Sequence, residues 1–367
     1  MLVFLLHRFA SVLEQLEPYA SGDSRVFLTA RIALASLTAF LMSLLIGPMT
    51  IRFLAKHCGE RIASDSARLN ELHAGKSRTP SMGGAFILVS LLCAVLLWGD
   101  LGNRYLQGGI ILVSGLGIIG GIDDWIKLRT NRKGLTVKQK FVAQCAISAI
   151  VCWSITGPLG TVQNGLDFIW PFGNAVIPLG MLFVLWGVFV LTGSSNAVNL
   201  ADGLDGLASG CLLFSGSALL ALCYLAGHKG MAEYLAIPYV PGSGELAVLL
   251  GGTVGATLGF LWFNSHPAEV FMGDTGSLPL GGAIGLAGLV TKQEVLLAII
   301  GGVFVVETLS VILQVGWFKM TRRRLIACSP LHNHFVFKGM HETKIVVRFW
   351  ISSALLAILG LALLKIR

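Results

Sequence analysis

The chain has 367 residues, of which 54% are hydrophobic and 13% charged, with a formal net charge of +8. A soluble domain carries roughly 25% charged residues, so this composition excludes an ordinary soluble fold. It also removes the reading of positive charge as a nucleic-acid footprint, and no nucleic-acid partner is expected.

Apolar runs of about 18 residues or more can each cross a hydrocarbon core of roughly 30 Å as a helix. They recur along the whole chain and leave no soluble domain between them, which predicts one all-α integral membrane domain over residues 1–367. The seven cysteines fall mostly inside apolar runs and form no C-x-x-C pair. They read as small buried hydrophobes rather than a disulfide framework or a zinc site.

Ten spans are predicted, near 28–51, 82–98, 107–122, 141–157, 175–192, 206–226, 246–263, 279–291, 295–318 and 346–365. The first lies too far into the chain for a cleaved signal peptide and reads as an uncleaved anchor. Ten passes put both termini on one side. One set of connecting loops carries nineteen Lys and Arg and the other side eight. The positive-inside rule then places the richer loops in the cytoplasm and both termini outside. Glycine is abundant, at 45 residues, as expected where helices pack closely in lipid.

The unusual polar clusters all fall on the side assigned to the cytoplasm. The first loop holds His73, Lys76, Arg78, Thr79 and Ser81 just before a span. By itself it is a polar lead-in to a helix. Next come Asp123 and Asp124, directly after an apolar run. Adjacent carboxylates at a membrane boundary need a cation, and Mg²⁺ is commonly held by one or two carboxylates plus substrate phosphates. The segment Gly157–Asn174, with Pro158 and Pro171, reads as an outer loop or short hairpin without chemistry.

The sequence Asn196-Ala-Val-Asn199-Leu-Ala-Asp202-Gly203-Leu-Asp205-Gly206-Leu207 offers two amides and two carboxylates with no basic residue among them. Asn199 and Asp202 stand at i,i+3, a spacing that shares a helical face, and Asp205 extends the row. Uncompensated acids at a membrane edge are costly and usually functional.

Beyond Asn264, the stretch Phe271-Met272-Gly273-Asp274-Thr275-Gly276-Ser277 sets glycines around an acid. Such a turn lets backbone approach a phosphate and cup it with N–H groups. Glu307 lies inside a span with no evident role. Last, the basic run Arg322–Arg324 precedes Ser329-Pro330-Leu331-His332-Asn333-His334-Phe335. Two histidines around an amide, without a matching Cys or Glu, suit hydrogen bonding to phosphate or sugar better than zinc. Acids and cations brought together on one face form the combination that grips phosphoryl groups.

These motifs, in this order, resemble the polyprenyl-phosphate N-acetylhexosamine-1-phosphate transferase superfamily over about three quarters of the chain, from Lys76 to Trp350. The Ser329–Phe335 stretch and Arg348-Phe349-Trp350 resemble its phospho-N-acetylmuramoyl-pentapeptide transferase branch. The resemblance implies transfer of phospho-N-acetylmuramoyl-pentapeptide from its UDP derivative to undecaprenyl phosphate, with Mg²⁺ as cofactor and UMP and lipid I as products. It implies a bacterial inner-membrane enzyme of peptidoglycan synthesis surrounded by membrane lipid, for which a homodimer is one open arrangement.

Carried over by motif, the catalytic residues are Asp123, Asp124, Asp274 and His332. The metal ligands are Asp274 with Asp124 or Asp202. Substrate binding falls to Lys76, Thr79, Lys127, Lys140, Asn199, Asp202, Asp205, Asn264, Phe271, Asn333 and His334. Residues 319–345 would form a cytoplasmic substrate-recognition loop. Two positions depart from the family pattern. Asn333 stands where it usually has a histidine, and an amide cannot carry a proton. Arg78 stands where it usually has glycine. Two rival readings remain: a relative that uses UDP-N-acetylglucosamine, and a membrane transporter, which would show mid-span acids and internal repeats.

Overall fold

A computed structural model describes residues 27–57, 79–130, 134–172 and 175–365. Lys76 and Arg78 lie outside the described residues. Among the described residues, the regular structure is helical apart from one two-stranded hairpin. Its elements are α1 (Leu28–His57), α2 (Gly84–Trp98), α3 (Arg104–Arg129), α4 (Val137–Gly160), β1 (Phe168–Ile169), β2 (Val176–Ile177), α5 (Phe183–Ala201) and α6 (Leu207–Ala226). There follow α7 (Lys229–Leu235), α8 (Gly244–Asn264), α9 (Asp274–Val290), α10 (Glu294–Ile300), α11 (Gly302–Thr321), α12 (Leu331–Phe337) and α13 (Glu342–Ala362).

Among the described residues, eight helices are long and apolar enough to cross a membrane. Helix α2, with 15 residues, is a shorter apolar helix. The short Gly-rich span near 279–291 is α9, and every one of its 17 residues is buried. It is packed by α3, α5, α6 and α2. A helix sheathed in protein needs neither the length nor the apolar surface that lipid demands, which is why its sequence signal is weak.

Several boundaries differ from expectation, three of them with consequences for the fold. The span placed at 175–192 starts instead with the hairpin, Phe168 paired to Ile177, and helix begins only at Phe183. Helix α5 then runs on to Ala201, because Thr192 and Asn196 satisfy themselves within the fold: Thr192 donates to Val188 O at 2.6 Å, and Asn196 to Gln144 Oε1 at 2.8 Å. The span placed at 295–318 is two helices, broken at Gly301 between α10 and α11. Residues 319–345 do not form a free loop. Gln314 Oε1 in α11 accepts from the N–H of Leu325 and Ile326, both at 3.0 Å, so the chain turns back along α11 before entering α12.

Successive long helices alternate in direction, which puts the carboxyl ends of α3, α5 and α8 beside the amino ends of α4, α6 and α9. The opposite end is tied by buried charge. Arg31 in α1 grips Glu245 in α8 through two bonds, at 2.6 and 3.0 Å, with both side chains 2% exposed. The same carboxylate accepts from Asp100 N at 2.9 Å, and Arg31 also donates to Trp98 O at 3.1 Å, which draws in the end of α2. Lys292 pairs with Glu294 at 3.1 Å between α9 and α10, under the Phe183 ring.

Removing one partner of a buried pair strands the other charge, at a cost of about 3–5 kcal/mol. Glu245→Ala is therefore expected to lower the unfolding midpoint of the purified protein sharply, measured by thermal unfolding in detergent. Substituting either partner of the exposed pair Lys229–Glu233 should leave that midpoint almost unchanged.

Candidate active site

The site forms where α9 begins. Gly273 precedes it at φ 70°, a conformation that suits glycine. A Cβ there would meet Asp124 Oδ2 at 2.5 Å, so glycine also makes room for the carboxylate. Asp274 is the first residue of the helix, where the exposed N–H groups favour a negative charge.

Three helices converge on the Asp274 carboxylate. Lys127 of α3 lies 3.1 Å from Oδ2, Lys140 of α4 lies 2.5 Å from the same oxygen, and Asn199 of α5 donates to Oδ1 at 2.6 Å. Asn199 also donates to Ser277 Oγ at 2.8 Å, which fixes its amide.

Asp123 and Asp124 lie inside α3 rather than after it, so their side chains are aimed by helical geometry. Asp124 Oδ2 accepts from Thr275 N at 2.9 Å and Thr275 Oγ1 at 2.7 Å. Asp123 Oδ1 accepts from Leu135 N at 2.7 Å, and its Oδ2 stands 2.7 Å from Lys127 one turn on. Asp123, Asp124 and Asp274 are all buried, and one oxygen of each lies within 4.8 Å of the others. This set is all carboxylate oxygen, the donor type that hard divalent cations take. Three carboxylates stand here against two ammonium groups, a shortage of positive charge that a divalent cation would offset. The residues present therefore fit a magnesium ion.

Asp202 does not join that group. The helix ends at Ala201, and Asp202 caps it with a ψ of 62°. The expected row Asn199–Asp202–Asp205 is therefore not one helical face. Gly203 and Gly206, the latter at φ 75°, turn the chain, and the three residues diverge. Asn199 goes to Asp274. Asp205 goes to a second cluster, with Oδ2 2.9 Å from His266 Nδ1 and accepting from Ala268 N at 3.2 Å. Its own N–H donates to Glu342 Oε1 at 3.0 Å.

Asn264, at the end of α8, braces this second cluster. Its Oδ1 accepts from Gly206 N and Ser209 Oγ, each at 3.0 Å, and its amide donates to Val270 O at 2.9 Å. Phe271 is held through backbone to Pro80 and Gly83, and Thr79 donates to Ala268 O at 3.3 Å. His332 is buried on α12, with Nδ1 3.2 Å from Glu307 Oε2. His334 turns its Nδ1 to Ala327 N at 3.1 Å, and Asn333 is half-buried beside them.

The structure thus joins Asp123, Asp124, Asp274, Lys127, Lys140 and Asn199 in one site. A neighbouring shell holds Asp205, Asn264, Phe271 and Thr79, and a third point holds His332. Sequence reasoning missed His266, Glu342 and the role of Glu307. Their partners lie 61, 137 and 25 residues away, and nothing local marks them.

The approach of α3 to α9 rests on Gly120, where a Cβ would collide with the Asp274 carbonyl; at Gly121 it would meet Thr275 Oγ1 only at 3.8 Å. Gly120→Ala must push the two helices apart, an overpacking cost of about 1–3 kcal/mol. Thermal unfolding in detergent should show that loss for Gly120→Ala and almost none for Gly121→Ala.

Residues 106–292 match the family described as glycosyl transferase family 4. The chain is 47% identical over 345 residues to the phospho-N-acetylmuramoyl-pentapeptide-transferase of Desulfosudis oleivorans, covering 93% of this chain and 94% of that one. The enzyme of the same name from Nitratidesulfovibrio vulgaris is 47% identical over 356 residues, covering 95% and 98%. That of Thermodesulfovibrio yellowstonii is 45% identical over 361 residues, covering 97% and 99%. With identity of this level over nearly the full length of both chains, the protein belongs to glycosyl transferase family 4 and, within it, to the phospho-N-acetylmuramoyl-pentapeptide-transferases.

Proposed function

We propose that the protein transfers phospho-N-acetylmuramoyl-pentapeptide from UDP-N-acetylmuramoyl-pentapeptide to undecaprenyl phosphate, releasing UMP and forming lipid I at the cytoplasmic face of the bacterial inner membrane. The observation that carries this reading is the Asp274 carboxylate held by Lys127, Lys140 and Asn199 beside Asp123 and Asp124. Full-length likeness to enzymes of that name supports the choice of sugar. The loop asymmetry in Lys and Arg supports the orientation.

Magnesium held by Asp274 with Asp124 or Asp123 would neutralise charge on the pyrophosphate as UMP departs. Lys127 and Lys140 each sit within reach of the same space and would take non-bridging phosphate oxygens. The attacking group is the lipid phosphate, whose second pKa of about 6 leaves it ionised near neutral pH. It therefore needs orientation more than deprotonation. Asp123, fixed by Leu135 N and Lys127, stands where it would orient that phosphate. Direct attack at the β-phosphorus forms the new P–O bond as the bond to UMP breaks.

The carrier needs an apolar bed. A cavity of about 370 Å³ lies between α5, α9, α10 and α11, lined by Phe189, Val190, Ala197, Phe304 and Leu309 among others. Ala197 marks its end nearest the site, at the depth of Asn199 along α5, so a prenyl chain lying there is proposed to place its phosphate at the level of the carboxylates. Residues 319–345, folded along α11 and carrying His332, Asn333 and His334, are proposed to read the sugar–peptide portion. The Asp205, Asn264 and Phe271 shell, with Lys76 and Thr79, is proposed to hold the nucleotide.

The purified protein with undecaprenyl phosphate and Mg²⁺ is expected to release UMP from UDP-N-acetylmuramoyl-pentapeptide but not from UDP-N-acetylglucosamine, and to stop on addition of EDTA. Asp274→Asn should cut release by about 10²-fold or more while the protein stays folded. Release from UDP-N-acetylglucosamine alone, or near-normal turnover of Asp274→Asn, would overturn the reading.

A further inference from the structure

We infer that Glu307 is a positioning residue for His332: it fixes the imidazole with its proton on Nδ1 and so leaves Nε2 as the working edge. The inference rests on the proposed transferase reading and adds to it a residue that the sequence left without a role.

Glu307 is completely buried, in the second turn of α11, and His332 is 1% exposed. A carboxylate so placed is expensive unless both oxygens are satisfied. Here both serve one residue. Oε1 accepts from the backbone N–H of His332 at 3.1 Å, and Oε2 lies 3.2 Å from its Nδ1. The backbone bond fixes the start of α12 against α11. The second bond sets the tautomer, because an ionised carboxylate has only lone pairs to offer. Nδ1 must therefore be the donor, and in the neutral ring Nε2 is left unprotonated.

The geometry also shows where Nε2 points. The nearest approach of the ring to the motif loop is at Gly203, where a Cβ would collide with Nε2 itself. Gly203 is exposed and lies between Asn199, which holds Asp274, and Asp205. The Nε2 edge therefore lies beneath the open glycine of the loop that links the carboxylate site to its neighbouring shell. His332 is buried there, so Nε2 faces the loop from beneath and bears on substrate through it. Held this way, Nε2 presents a lone pair toward the loop, which suits a hydroxyl or N–H donor. This is the same logic by which a carboxylate behind a catalytic or metal-binding histidine sets its ring and basicity.

Glu307→Gln separates positioning from scaffolding. The amide oxygen can still accept from the His332 backbone, but the amide nitrogen can only donate to Nδ1, which forces the proton to Nε2. The experiment uses full-length protein in nanodiscs, with ¹⁵N-labelled histidine and His332 assigned by the His332→Gln variant. In wild type, NMR should show a protonated Nδ1 and an unprotonated Nε2 on His332, and Glu307→Gln should reverse them. UMP release by Glu307→Gln should fall about 10- to 100-fold, carried by kcat with the KM for the sugar nucleotide little changed. Adding Glu307→Gln to His332→Gln should cost nothing further.

A wild-type His332 protonated on Nε2 would overturn the inference without need of any variant. So would near-wild-type turnover of Glu307→Gln, or a loss that adds in full to that of His332→Gln. The tautomer is read without substrate. A wild type that shows protonated Nδ1 yet transfers no sugar phosphate would count against the proposed function and leave the dyad standing.

Discussion

The rest of the structure depends on the Asp274 carboxylate at the first residue of a wholly buried helix. Its charge suits a helix amino end, but burial would make it untenable alone. Lys127 from α3, Lys140 from α4 and Asn199 from α5 supply the compensation. Those contacts dictate where α3 and α5 must end, where α4 must begin and how close they must come. The demand for close approach is met by glycine, at Gly120 against the Asp274 carbonyl and at Gly273 against Asp124. Chemistry and packing are the same set of contacts here.

That arrangement also explains the division of labour between the two ends of the bundle. Among the described residues, the far end is tied by opposite-charge pairs, Arg31 with Glu245 and Lys292 with Glu294. The near end gathers three acids against two lysines and is left short of positive charge. A bundle that needed only stability would match its charges at both ends. The imbalance is what a divalent cation and a diphosphate, brought together, would complete. Lys127, partly exposed and shared among all three acids, is the group whose partners would change most when they arrive.

Much of this was legible in the sequence, and the reasons are local. Long apolar runs gave the membrane class and most helices. The quoted motifs gave Asp123, Asp124, Asn199 and Asp274, because uncompensated acids at the end of an apolar run have few structural uses. What was not legible depended on how the chain leaves a helix. Asp202 reads as part of an i,i+3 face with Asn199, yet the helix ends one residue earlier, and Asp202 stands outside the carboxylate group. The break at Gly301 reads as continuous helix because a single glycine in a membrane span is usually a packing contact. Glu307 reads as an isolated acid because its partner is in a segment that folds back along α11, held by Gln314 and by Glu307 itself. Helix α9 gave a weak span signal because protein, rather than lipid, surrounds it.

The central claim is that Asp123, Asp124 and Asp274 gather to hold one divalent cation against the diphosphate of the substrate. Paramagnetic resonance of Mn²⁺ substituted for Mg²⁺, on the purified protein with UDP-N-acetylmuramoyl-pentapeptide, tests it most directly. The account predicts one bound Mn²⁺ with phosphorus hyperfine coupling, lost in Asp274→Asn. Bound Mn²⁺ without phosphorus coupling, or with coupling unchanged in Asp274→Asn, would contradict it.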